Sequence, residues 1–462
     1  MTLALAQVSA QFYLNRVLLQ VDDLLDRQYP GNHEGPILWL RLNRGVLDTA
    51  NAYLERSRQS VTLANVADSL VRDAGSLAHM AFENLRFMAG ADVDDLPYPI
   101  VRPMQRWFDD LGLSNTTLFR AEHAANYELR LINESVFQRI RDKSASLNDA
   151  IGAISWPLIR VTVPGSALGI IPHYSIVAHE VGHAMFSRIK IDLSSEKAKE
   201  NELVKRIETR LSKSPLSPDE RNKLKQVHIS WLMELSADAF AHLIMGPALF
   251  FASSEFFQLL SPSYGVSETH PPHDLRREVV HKQLVSGTNS FADVFKDKSG
   301  KTLKDDFNSN LMKRLPDADR FYIELNQQFS DPVTAAIMAE LVPYYRDVSH
   351  LIYDQTQKYL ELNCPSLIYT PDQFAGNLTD YTDALLSAVP PIETGPDLNQ
   401  KIPSEFSSIL NVGWFVLLTK LDLLRVKSRE QAHMSEKAEK LHSLLLKAVE
   451  LSEAVRSWRS VT

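Results

Sequence analysis

The sequence contains a single cysteine, Cys364, among 462 residues. One thiol cannot form an intrachain disulfide, and it excludes zinc sites and iron–sulfur clusters that are built from several thiolates. The N-terminal segment has its first basic residue at Arg16, so it lacks the charged start of a secretory signal. We therefore expect a cytoplasmic protein in a reducing compartment.

Glycine is also scarce, with 17 residues in the chain, which is about half the usual ~7%. This composition favours long helices over a turn-rich all-β fold. Apolar residues make up 44% of the chain and charged residues 23%, which are ordinary values for a globular protein and exclude a disordered chain. The length corresponds to roughly three domains of ~150 residues each.

An excess of positive charge is absent as well. The chain has 49 lysines and arginines against 57 acidic residues, a net charge of −8. No global basic field is present to attract nucleic acid, so we expect no nucleic-acid partner. The longest uncharged run, Val161 to His179, is interrupted by Pro164 and Pro172, and we expect no insertion into a membrane.

The pattern of apolar residues divides the chain into three regions. Spacings of three and four residues predict helices through residues 1–149 and again through residues 288–462. Residues 150–287 between them have a mixed pattern and include a densely charged, helical insert at residues 190–226. The sequence thus predicts a mainly α protein with a small α+β core, flanked by helical regions that offer surfaces for a regulatory partner or a homo-oligomer.

Within the central region, two short strands and two helices are predicted. The β-branched run Leu158–Val163 indicates a strand, and Ala167–Ile171 is expected to return as a second one. The segment Ser175–Ile189 has the apolar spacing of a helix. Ser217, followed by Pro218 and then by Glu220 three residues on, is the pattern of a helix N-terminus with a capping box.

The most informative string in the chain is His179-Glu180-Val181-Gly182-His183. On a helix, positions i and i+4 share one face, so the two imidazoles can bind one metal ion. Glu180 lies one step round the helix, where it can reach a water on that ion without binding the ion itself. Catalytic zinc sites combine three protein ligands with one open position, so a third ligand must come from elsewhere.

A pair of acidic residues farther along the chain is expected to supply the third ligand. Glu234 and Asp238 stand one helical turn apart among apolar neighbours, where an unpaired carboxylate is costly. We expect Glu234 to bind Zn²⁺, and Asp238 to accept the ring N–H of a ligand histidine and hold its orientation.

The two motifs together resemble the gluzincin zinc metallopeptidases, whose pattern is H-E-x-x-H followed by E-x-x-x-D. The resemblance implies His179, His183 and Glu234 as zinc ligands and Glu180 as the general base. Downstream, the segment Thr269–Arg276 reads THPPHDLR and is similar to the H-P-P-x-x-x-R segment of the CAAX prenyl endopeptidases and their heat-shock membrane protease relatives. The resemblance as a whole covers roughly residues 157–284. The chain departs from the CAAX prenyl endopeptidase subgroup in lacking clear transmembrane helices.

Hydrolysis of an amide needs a donor for the oxyanion besides the metal. His270 is the first candidate, with Tyr264 second and Arg276 third. Gluzincins also tend to present the substrate along an edge strand. If the resemblance extends to this feature, Leu158–Val163 or Ala167–Ile171 would bind a peptide by strand addition.

The leading hypothesis is a zinc-dependent metallopeptidase acting on a peptide or protein substrate. One alternative is a zincin-fold regulatory or partner-binding protein, in which the metal site is structural or non-catalytic. A scaffold of that kind has no need of Glu180, which is present here. A hydrolase acting on a non-peptide bond and a helical interaction protein with a chance motif are further alternatives.

Overall fold

The computed structural model describes most of the chain. The described residues are 3–29, 34–60, 63–88, 90–91, 96–113, 116–122, 127–141, 145–259, 267–286, 290–291, 331–394, 402–426 and 433–460.

The chain is mainly helical with a small three-stranded mixed sheet, and it divides into two compact units. The first unit is Met1–Leu168 and the second is Gly169–Thr462. The coarse fold class expected from the sequence is thereby confirmed. The three-region functional organisation and the zincin-like nature of the core stay predictions.

The helices of the first unit are α1 (Leu3–Leu25), α2 (Glu34–Gln59), α3 (Ala64–Met88), α4 (Tyr98–Asp110), α5 (Gln138–Arg141) and α6 (Ala145–Ala153). The long helices α1, α2 and α3 share one apolar core, to which α6 also contributes. Each of the three long helices buries one face whose apolar side chains recur every three or four residues, with Trp39 and Val46 of α2 fully buried. The helical prediction for this stretch is confirmed.

The first unit also contains a mixed sheet. Its strands are β1 (Thr117–Glu122), β2 (Glu128–Ile132) and β3 (Leu158–Pro164). The order is β1-β3-β2, with β3 parallel to β1 and antiparallel to β2. The strand predicted at Leu158–Val163 is confirmed, whereas the prediction that helix continues to about residue 149 is wrong over β1 and β2. Both strands make their ladder with β3, so a distant pairing rather than local periodicity fixes them.

The sheet also overturns the expectation of strand addition at the two predicted strands. A peptide can add only to an edge, and β3 is paired on both sides over most of its length. Ala167–Ile171 is not a strand, because it follows a short 3₁₀ turn at Gly165–Ala167 and leads into a second 3₁₀ segment at Ile171–Ile176.

Over its described residues, the second unit is helical apart from one two-residue strand pair. Its helices are α7 (Val177–Ile189), α8 (Lys197–Arg210), α9 (Pro218–Met245), α10 (Pro247–Leu259), α11 (His273–Ser286), α12 (Pro332–Asn363), α13 (Pro371–Leu386), α14 (Phe406–Thr419) and α15 (Met434–Arg459). The short strands are β4 (Glu393–Thr394) and β5 (Ile402–Pro403).

The helices of the metal motifs form as the sequence predicts. Helix α7 begins two residues later than expected, after the 3₁₀ segment, and ends at Ile189. Helix α9 begins at the expected capping box, in which the hydroxyl of Ser217 accepts from the backbone N–H of Glu220 and the Glu220 carboxylate accepts from that of Ser217. The charged insert folds as α8 and the first turns of α9, which share an apolar core with α12.

Helices α7 and α9 cross at very short range. A Cβ atom on Gly182 would lie 2.7 Å from the Cα of Ala237 and 2.9 Å from its carbonyl oxygen. Such distances do not occur between real atoms, so only glycine at position 182 permits this crossing. The contact lies one residue before His183 and one residue before Asp238, and it sets how closely the two motifs approach.

Among the described residues, no helix is both long enough and apolar enough to cross a lipid bilayer.

We predict that Gly182→Ala lowers the stability of the second unit by about 1–3 kcal/mol, because the added methyl group forces the two helix backbones apart. Urea denaturation followed by tryptophan fluorescence measures the change. Gly376→Ala in α13 is the matched control, since a Cβ there meets no atom within 4 Å. Equal stability of the two variants would contradict the close crossing.

Candidate metal centre

Two histidines from one face of α7 form the first part of the site. His179 and His183 stand one turn apart, and their Nε2 atoms are 3.1 Å from each other. The rings are nearly perpendicular, at 82°, with centroids 4.6 Å apart. The i, i+4 spacing of the sequence thus brings one nitrogen of each imidazole close to the other.

The carboxylate of Glu234 on α9 completes a triangle of three side chains with His179 and His183, which we call the donor triangle. Its Oε2 lies 3.4 Å from Nε2 of His179, and its Oε1 lies 3.3 Å from Nε2 of His183. In a tetrahedral zinc site with bonds of ~2.0–2.1 Å, neighbouring donor atoms are about 3.3–3.4 Å apart. The separations between the three side chains are close to this spacing, with each histidine nitrogen nearest to a different oxygen of Glu234.

Asp238 orients the first of these histidines. Its Oδ1 lies 2.9 Å from Nδ1 of His179, on the side of the ring opposite to Nε2. An Nδ1–H that donates to this carboxylate leaves the lone pair of Nε2 directed at the donor triangle. The two acidic residues of α9 therefore contact different nitrogens of the same imidazole ring.

Arg276 of α11 contacts the acidic side chains from behind. Its Nε and one terminal nitrogen each donate to Asp238 over 2.7 Å, and the other terminal nitrogen lies 3.2 Å from Oε2 of Glu234. The guanidinium also lies 3.2 and 3.3 Å from the two ring nitrogens of His179. These contacts of Arg276 hold Asp238, Glu234 and His179 together.

Burial makes the electrostatics of this cluster strong. Burial opposes charge on Glu234 and Asp238, but Arg276 and His179 outweigh it and hold the pKa of both carboxyls below the usual range. Burial and the nearby Arg276 disfavour a charged His179, yet Asp238 and Glu234 raise its pKa to about 9. Surroundings that favour a proton on this ring also favour a metal cation at the same place.

The residues present fit a divalent cation. Oε2 of Glu234 is buried and, within the described part of the chain, accepts no hydrogen bond despite its nearness to Arg276. With neutral histidines, three carboxylates (those of Glu180, Glu234 and Asp238) face one guanidinium, an excess of two negative charges. Two imidazoles and a carboxylate are a donor set that zinc accepts in catalytic sites.

Glu180 lies next to the two histidines. Its carboxylate, together with one nitrogen of His179 and one of His183, forms a group of potential ligand atoms within 4.8 Å of one another. Burial raises the pKa of Glu180, and the two histidines partly oppose this. A carboxylate with a raised pKa, close to a metal but on the next position of the helix, is suited to accept and return a proton.

His270 lies at the edge of the donor triangle, on a turn that orients its ring. Its Nε2 is 3.5 Å from Oε1 of Glu234, and its Nδ1 lies 2.9 Å from the hydroxyl of Thr269 and 3.3 Å from that of Ser267. A hydroxyl that donates to Nδ1 leaves the proton on Nε2. Burial lowers the pKa of His270, which favours the neutral ring in that form.

Tyr264 and Arg276 are the second and third candidate donors to the oxyanion. Tyr264 lies outside the described residues. Arg276 is buried, and its nitrogens are occupied by Asp238 and Glu234, so its contacts support a role in positioning the ligands. It also packs over the ring of Phe257, 5.1 Å from the ring centroid.

Sequence reasoning missed several residues that build the site. Trp231 donates its indole N–H to the carbonyl of Ser267 over 3.1 Å, which fastens the turn of His270 to the helix of Glu234. The hydroxyl of Ser267 accepts from the backbone N–H groups of Thr269 and His270. The Ser-x-Thr spacing before His270 is a signal for such a turn, and the small pair Gly182 and Ala237 is a signal for the helix crossing.

Comparison of the chain with protein-family models, curated proteins and solved structures returns no match. Function is therefore inferred from the side chains of the site.

We predict that Asp238→Asn weakens zinc binding by about 10–100-fold, because the amide replaces the charged acceptor that orients His179. Competition with a chelator of known affinity measures this on protein whose fold is checked by circular dichroism. Asp219→Asn, at an exposed position of the same helix, is the control and should bind zinc as the wild type does. Wild-type affinity in Asp238→Asn would remove Asp238 from the site.

Proposed function

We propose that the protein is a zinc-dependent metallopeptidase of the gluzincin type that hydrolyses peptide bonds in a reducing, cytoplasmic environment. The observation that supports this most is the donor triangle of His179, His183 and Glu234, with the carboxylate of Glu180 beside it. A structural zinc site normally has four protein ligands and no adjacent base, whereas three ligands and a base are typical of hydrolytic sites.

In this proposal His179, His183 and Glu234 hold the ion. When bound, zinc polarises the scissile carbonyl and lowers the pKa of water to ~7. Asp238 and Arg276 fix the ligands through the contacts described above, so that little reorganisation is needed during the reaction.

Glu180 is the base. It accepts the proton of the attacking water and passes it to the amine of the departing product. Its raised pKa brings it nearer to the operating pH, which helps both transfers.

His270 is the donor to the oxyanion. Its neutral ring, with the proton held on Nε2 by the hydroxyls at Nδ1, can donate to the negative oxygen that develops on the carbonyl. About half of the residue is exposed, so a substrate can reach it from solvent.

We predict that Glu180→Gln retains one zinc ion per chain and loses peptide hydrolysis by at least ~10²-fold, because the base is lost and the ligands stay. Metal analysis of the purified protein and digestion of a mixed peptide library test the two halves separately. Glu202→Gln, at an exposed position of α8, is the control. A wild-type zinc protein that cleaves no peptide, or a Glu180→Gln variant that cleaves normally, would contradict the proposal.

We predict that His270→Ala lowers kcat by about 10²–10³-fold with little change in KM, because the lost hydrogen bond forms only in the transition state. Steady-state kinetics on a cleaved library peptide measures the split, and His350→Ala, at an exposed position of α12, is the control. A rise in KM at unchanged kcat would instead show that His270 positions the substrate.

A further inference from the structure

Helix α1 has two apolar faces on opposite sides. Leu14, Val17, Val21 and Leu24 are buried and pack into the core of the first unit. The opposite side presents four large apolar side chains to solvent, and their exposed fractions run from 54% to 72%. These side chains are Leu5, Val8, Phe12 and Leu19. We call them the outer stripe.

The outer stripe has the spacing of a coiled-coil seam. Its members and Asn15, which is also exposed, follow one another at intervals of three, four, three and four residues. At 100° per residue they lie within a sector of about 80°, and they extend over about 21 Å of helix. Scattered exposed hydrophobic residues are normal, but a continuous stripe at heptad spacing indicates a helical partner.

The composition of the stripe favours a second copy of the same helix. The helix contains no charged residue before Arg16, so two copies can meet along most of the stripe without like-charge repulsion. A single polar residue such as Asn15 in an otherwise apolar seam is the feature that restricts coiled coils to pairs. Ser9 and Gln11, which lie on the two sides of the stripe, are polar and uncharged, so they add no like-charge repulsion between two copies.

The exposed area is sufficient for a weak dimer. The four side chains expose roughly 500 Å² per copy, which is as large as the largest apolar patch on a typical monomer. Complete burial of these side chains in two copies would remove at most about 1,000 Å² from solvent, at the lower limit of specific interfaces.

We propose that the protein forms a homodimer through the outer stripe of α1. The inference rests on the first unit alone and is independent of the proposed hydrolytic function.

Analytical ultracentrifugation of the full chain from about 1 to 100 µM tests the proposal. We expect the mass to rise from that of a 52.2 kDa monomer toward twice that value across this range. In Phe12→Gln, the dissociation constant should rise at least tenfold, because the largest member of the stripe is lost. Leu362→Gln is the matched control, since this α12 leucine is equally exposed, at 74%, and stands outside the stripe.

A monomer at every concentration would overturn the proposal, as would a dimer that Phe12→Gln leaves unchanged. Because Phe12 is exposed, its replacement should leave the thermal midpoint and the circular dichroism spectrum unaltered. A second variant, Leu19→Gln, provides an independent measurement at the other end of the stripe. Monomeric protein that instead co-sediments with phosphatidylcholine vesicles, and loses this in Phe12→Gln, would assign the stripe to a membrane surface and overturn the dimer.

Discussion

The close crossing of α7 and α9 is the constraint on which the rest of the site depends. Gly182 and Ala237 bring the two backbones to a distance that no larger residue at position 182 permits. Only at this distance can side chains as short as those of Glu234 and Asp238 reach His179 from the neighbouring helix. The helices supply the spacing along each axis, and the crossing supplies the spacing between them.

The buried charged side chains at this helix crossing determine which kind of group can bind there. Buried carboxylates are tolerated only when they are paired or bind a metal. Arg276 pairs with Asp238 on two bonds and approaches Glu234, but it leaves one oxygen of Glu234 without a hydrogen bond among the described residues. The raised pKa of His179 expresses the same imbalance. Both observations support the proposed binding of a cation between His179, His183 and Glu234, beside which Glu180 is the proposed base.

The sequence predicted those parts of the molecule that depend on local spacing. The i, i+4 rule placed His179 with His183, and the capping pattern at Ser217 gave the start of α9 correctly. Features that depend on contacts between residues far apart in the sequence were not predicted. Strands β1 and β2 form because they pair with β3, and the Trp231 bond that fastens the turn of His270 joins residues 36 positions apart. No local period encodes either of these contacts.

The proposed ligand set can be measured by zinc X-ray absorption spectroscopy on the chain loaded with one equivalent of zinc. We expect stoichiometric binding, with two imidazole nitrogens and the remaining ligands oxygen, at ~2.0–2.1 Å. In His183→Ala one of the two imidazole contributions should disappear. Failure to bind zinc at one equivalent would rule out the proposed site, and so would a spectrum that His183→Ala leaves unchanged.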